Sequence, residues 1–68
     1  MKIDKHKVDL AMANKCYSAE ELAEITGISP ITIARIRRGI QKPRPKTIGM
    51  IARALNVPVE NLIQKEGD

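Results

Sequence analysis

Residues 18–39 read SAEELAEITGISPITIARIRRG, and their punctuation decides the fold. Ser18 with Glu21 three residues on is a capping box, and Tyr17 and Leu22 flank it at the spacing of a hydrophobic staple. Gly27 stops that helix after about two turns, because glycine enters the left-handed region at little steric cost. Ser29-Pro30 starts another helix at once: the serine caps it, and proline suits the first helical position. Ile28 and Ile33 repeat the staple, and this helix is expected to run to Arg38 and stop at Gly39. So short a turn makes the two helices cross steeply instead of lying antiparallel, and Ala23 is small where they approach most closely.

The same signals recur on either side. Asp4 caps a first helix that runs to about Lys15, with Ile3 and Val8 as its staple. A fourth begins near Pro45 and ends at Asn56, and a fifth spans roughly Val59 to Gln64 after Pro58. No strand-like alternation competes. The sequence therefore predicts an all-α class, as one compact five-helix domain over residues 1–68 with a central helix-turn-helix at about 19–38. The expected core takes Leu22, Ala23 and Ile25 from the second helix, and Ile33, Ile36 and Ile40 from the third. Met50, Ile51, Ala54 and Leu55, then Val57, Leu62 and Ile63, complete it.

Net charge is +4, but its distribution says more. Between Ile25 and Val59 there is no Asp or Glu, while Arg35, Arg37, Arg38, Lys42, Arg44, Lys46 and Arg53 make that stretch +7. Residues 1–24 carry −1 and residues 60–68 carry −2. An acid-free basic middle is the footprint expected of a polyanion partner, with a solvated basic surface as the bland alternative.

With the isoleucines inward, a 3.6-residue period puts Ile31, Ala34, Arg35 and Arg38 on the outer face of the third helix. Small, apolar and guanidinium groups suit a major groove about 12 Å wide. Arg35 can offer a bidentate fork to guanine O6 and N7. Ile31 has two readings, a contact with a thymine methyl or packing along the edge of the second helix. Ser29, Thr32 and the free amides at the helix start are phosphate candidates, joined by Arg38 and by Lys42 and Arg44 in the loop beyond Gly39. Four such contacts correspond to a salt slope of about −3.6 per domain.

Taken together, Ser18, Glu20 to Glu24, Gly27-Ile28-Ser29, Ile33, Arg35-Ile36, Arg38-Gly39, Lys42-Pro43, Ile51-Ala52 and Ala54-Leu55 resemble the phage-repressor and Cro-like helix-turn-helix family over nearly the whole chain. The resemblance implies a lambda-repressor-like fold and sequence-specific binding of double-stranded DNA, usually as dimers. It also implies a regulator, most simply a repressor, of bacterial, phage or mobile-element origin, and the single Cys with no run of about 18 apolar residues adds the expectation of a cytoplasmic protein. It sets Pro30, Ile31 and Arg35 at the base-reading positions of a recognition helix at 29–38. Four departures stand out. Ala19 replaces a common Gln that touches phosphate, Pro30 replaces a common polar reader, and Cys16 replaces a frequent Gly, which predicts a mildly strained turn. Where the family often pairs an Arg of the first helix with a Glu of the third, this chain has Met12 and Arg37. That leaves Arg37 as a phosphate contact or as a snorkelling surface residue.

A weak homodimer through Val59, Leu62 and Ile63 is expected, the alternative being that these three close the core. A protein-interaction or antitoxin-type module is the competing functional class. No cofactor, metal, membrane or small-molecule partner is expected, and no enzyme. The single Cys excludes an internal disulfide, His6 reads as a surface residue, and helix capping accounts for Glu20, Glu21 and Glu24.

Overall fold

The computed structural model describes residues 2–64; the ends of the expected domain, Met1 and residues 65–68, lie outside the described residues. Four α-helices are present, α1 (Lys5–Lys15), α2 (Ala19–Thr26), α3 (Pro30–Arg37) and α4 (Pro45–Leu55), followed by a 3-10 turn at Val59–Asn61. The starts follow the caps read above. Asp4 Oδ1 accepts from the amides of His6 at 3.0 Å and Lys7 at 3.2 Å. Ser18 and Glu21 make both bonds of the capping box, at 2.9 and 3.1 Å. Between α2 and α3, Gly27 stands at φ +76° and donates to the Ala23 carbonyl. Thr26 ties the turn as well, its hydroxyl donating to the Leu22 carbonyl at 2.8 Å and accepting from the Ile28 amide at 3.2 Å.

Three helices end in one motif. The residue after a left-handed position sends its amide back to the carbonyl five residues earlier: Tyr17 to Met12, Ile40 to Arg35, and Val57 to Ala52, each at 3.0 Å. Cys16, Gly39 and Asn56 hold the left-handed positions, at φ +58°, +77° and +57°. Cys16 thus carries the strain expected of it, and its thiol is exposed.

The fifth helix is corrected to a single 3-10 turn. Residues 62–64 instead pair with the start of the chain: Asp4 N donates to Leu62 O at 2.9 Å, Gln64 N donates to Lys2 O at 2.8 Å, and Ile3 faces Ile63 in an antiparallel bridge. Main-chain groups committed across the chain termini cannot also serve a helix.

The core is wholly aliphatic. α4 is its hub, packing on α1, α2 and the 3-10 turn, while α3 packs on α2. Ile48, Ile51, Ala52 and Leu55 of α4 meet Leu22 and Ala23, Ile33 and Ile36, and Val8, Ala11 and Met12; Ile3 and Leu62 close one end. Among the described residues, no polar or charged residue is buried. Three expected core residues are outside: Ile25, Ile40 and Met50 are exposed. An eight-residue α2 buries one stripe, and Leu22 and Ala23 fill it. Ile40 lies past the end of α3, so helical spacing no longer governs it. In α4 the buried phase is Ile48, Ile51, Ala52 and Leu55, which turns Met50 away.

Candidate nucleic-acid interface

α3 has two faces with opposite duties. Ile33 and Ile36 are 1% and 2% exposed, whereas Ile31 is 64% exposed and Ala34, Arg35 and Arg38 are also exposed. At that exposure the Ile31 side chain is mostly in solvent, which speaks against the packing alternative. Pro30, Lys42 and Arg44 are exposed, and Thr32 is half-buried. Arg35, Arg38, Lys42, Arg44 and Lys46 follow one another along α3, its loop and the start of α4 without an acid among them.

The two ends of α3 differ electrostatically. At its start the expected set of free amides narrows, because Pro30 has none, the Ile31 amide donates to Ser29 Oγ at 3.2 Å, and the Ile33 amide donates to Ser29 O at 3.0 Å. The Ser29 and Thr32 amides are the ones left open there. Ser29 and Pro30 also share a shallow surface depression with Glu20 and Glu24, whose charges disfavour an anion at that spot. At the other end the acid present, Asp9, is paired with Arg37. The exposed charged residues that follow, Arg38, Lys42 and Arg44, are all positive.

Two expectations are corrected. Arg37 is not a free surface cation: its guanidinium donates to Asp9 Oδ1 of α1 at 2.5 Å. The family's tie between first and third helices is present with its charges exchanged, and it starts from Asp9, because Met12 is buried in the core. Sequence reading missed Asp9; its signal was an acid on α1 three residues before Met12, on the same side of that helix. The expected dimer patch is corrected at Leu62. Leu62 is 0% exposed, Val59 and Ile63 pack on the core, and Ile63 is further held by its bridge to Ile3 and by Lys7 Nζ on its carbonyl at 3.2 Å. These three residues close their own domain.

Two short helices crossing at a tight glycine turn, the second with an apolar inner face and a cationic outer one, make this a helix-turn-helix domain. Residues 14–62 match the family described as helix-turn-helix, and the chain belongs to that family. Similar proteins include the uncharacterized HTH-type transcriptional regulator RghRB of Bacillus subtilis (strain 168), 41% identical over 60 residues that make up 87% of this chain and 42% of the relative. The uncharacterized HTH-type transcriptional regulator YvzC of the same organism is 35% identical over 51 residues, 75% of this chain and 66% of the relative. The chain thus matches 42% and 66% of the lengths of these relatives. The whole chain also superposes on 15% of a hydroxyethylphosphonate dioxygenase mutant with a TM-score of 0.83, and on 15% of native PhpD with cadmium atoms with a TM-score of 0.82. Both are 24% identical, a likeness of fold alone.

Proposed function

We propose that the chain is a sequence-specific, double-stranded-DNA-binding transcription regulator of the bacterial cytoplasm, acting most simply as a repressor. Residues 29–38 form its recognition helix, which enters the major groove. One observation carries this reading: Ile31, Ala34, Arg35 and Arg38 share an exposed face in a segment without acids, directly behind which Ile33 and Ile36 are fully packed. Arg35 supplies the bidentate fork for guanine, and Ile31 the apolar contact for a thymine methyl. Pro30, at the same end, contributes shape only. Arg38, Lys42 and Arg44 take phosphates along one strand, with Ser29 and Thr32 as weaker contacts because Glu20 and Glu24 lie beside that end.

One such domain covers one half-site, so a dimer on a two-fold operator belongs to this reading, through a surface other than Leu62. Random-site selection of duplex DNA by the purified chain tests the whole of it. A consensus with a guanine whose preference vanishes in Arg35→Ala, at a cost of about 1–3 kcal/mol, is the expected result. Retention of a stable protein partner with no retardation of any duplex at low salt favours the interaction-module class instead.

A further inference from the structure

The three matching helix ends contain an asymmetry. In each, the residue that sends its amide back across the turn is apolar: Tyr17, Ile40 and Val57. Its side chain folds toward the helix residue whose carbonyl it bonds, or toward the one before. For Tyr17 that residue is Met12 and for Val57 it is Ala52, both buried, and both side chains pack on the core. For Ile40 it is Arg35, with Ala34 before it, and these lie on the exposed face of α3. Ile40 is accordingly 65% exposed. The Arg35 carbonyl also receives the Gln41 amide at 3.4 Å, so the Ile40 backbone is held on both sides.

A lone exposed isoleucine needs no explanation. Ile40 is set apart by its surroundings. Its amide is tied to Arg35, the proposed guanine reader, and its sequence neighbours Arg38, Gln41, Lys42 and Arg44 are all exposed and carry no negative charge. That combination, an exposed apolar group flanked in sequence by exposed cations, is complementary to the edge of a nucleic-acid groove, where methyls and deoxyribose carbons lie between phosphates.

We infer that Ile40 is a further DNA-contacting residue, which extends the reading face past the end of α3 through an apolar contact with a thymine methyl or a deoxyribose. The inference rests on the duplex reading proposed above. Phosphate contacts make affinity depend on salt, whereas an apolar contact does not, and this separates Ile40 from its cationic neighbours.

The experiment measures affinity by fluorescence anisotropy across a salt series, on a duplex recovered by selection with the wild-type chain. Ile40→Ala is expected to bind about tenfold more weakly, from the apolar area no longer covered, with an unchanged salt slope and an unchanged melting temperature. Leu10→Ala, which alters an exposed apolar residue beside Val57 and Asn61 on the α1 side of the domain, leaves affinity unchanged. Replacing single thymines by deoxyuridine assigns the contact. If one replacement weakens wild type but not Ile40→Ala, the partner is that methyl; if none does while Ile40→Ala remains weak, it is the sugar. Wild-type affinity in Ile40→Ala, or an equal loss in Leu10→Ala, overturns the role of Ile40 and leaves Arg35 untouched. Failure of the wild-type chain to bind any selected duplex overturns the duplex reading itself.

Discussion

Asp9→Ala should cost this domain more than Arg37→Met, although the two substitutions break the same ion pair. The Arg37 side chain is 28% exposed and that of Asp9 40%, so the pair lies between two regimes. Exposed pairs contribute about 0–1 kcal/mol, and breaking a buried one by removing a single partner costs about 3–5 kcal/mol. With Asp9 more than a third exposed, solvent screening pulls the value toward the lower regime, to about 1.5 kcal/mol for Asp9→Ala. What makes the two changes unequal is Arg37 Nε, which is buried with no protein hydrogen-bond partner. Removing Asp9 leaves a half-buried cation without its counter-charge, and Nε still without a partner. Removing the guanidinium takes the cation and its Nε away together, and the carboxylate left behind turns to water. Arg37→Met, which keeps the aliphatic bulk, should therefore cost under about 0.5 kcal/mol.

For a domain of this size about 1 kcal/mol moves the melting temperature by roughly 4–8 °C, so Asp9→Ala should lower it by about 6–12 °C. Circular-dichroism melts of wild type, both single variants and the double variant close the cycle. In 1 M salt, where the screening length falls to about 3 Å, the Asp9→Ala deficit should shrink but persist, as befits a partly buried pair. Equal losses in the two single variants, or strict additivity in the double, would refute the reasoning, because the donor left buried would then have no energetic consequence.

Two further outcomes follow from the turn and the loop. Cys16→Gly should raise stability by about 0.5–1 kcal/mol, because a non-glycine residue at φ +58° bears a left-handed penalty of roughly 1–2 kcal/mol that glycine escapes, less glycine's greater unfolded-state freedom. A lower urea midpoint in that variant contradicts this account. In the proposed complex, Lys42→Ala and Arg44→Ala should each flatten the plot of log affinity against log salt by about 0.9 while leaving the selected sequence unchanged. A change of consensus in either variant assigns that residue to a base.

Local chemistry was legible in the sequence, and contacts between distant segments were not. Asp4, the Ser18–Glu21 box, Gly27 and Ser29-Pro30 each act within three or four residues, so spacing alone located the helix starts and the turn. The inner face of α3 followed from Ile33 and Ile36 by the same period. Residues 62–64 were misread because their partners are residues 2–4, at the far end of the chain, and a short apolar run after proline looks helical until that pairing is known. Asp9 and Arg37 are 28 residues apart and bear no local signature of contact. Ile40 was drawn into the core because its spacing from Ile33 and Ile36 is helical, although Gly39 ends the helix first; that same stop fixes its backbone and turns its side chain outward.

The division of labour in α3 bears on how a surface of this kind can change its target. Folding draws on the buried Ile33 and Ile36, while Ile31, Ala34, Arg35 and Arg38 are exposed. Substitutions at exposed sites free of caps and networks usually alter stability by no more than about 0.5 kcal/mol. The Arg35 backbone does hold the turn at Ile40 and Gln41, but through its carbonyl, which any residue provides. The outward side chains are thus constrained only by what they touch outside the molecule. On the proposed reading, affinity and specificity can drift at these four positions without the core registering the change. Asp9 and Arg37 fix the pose of the helix on which those positions ride.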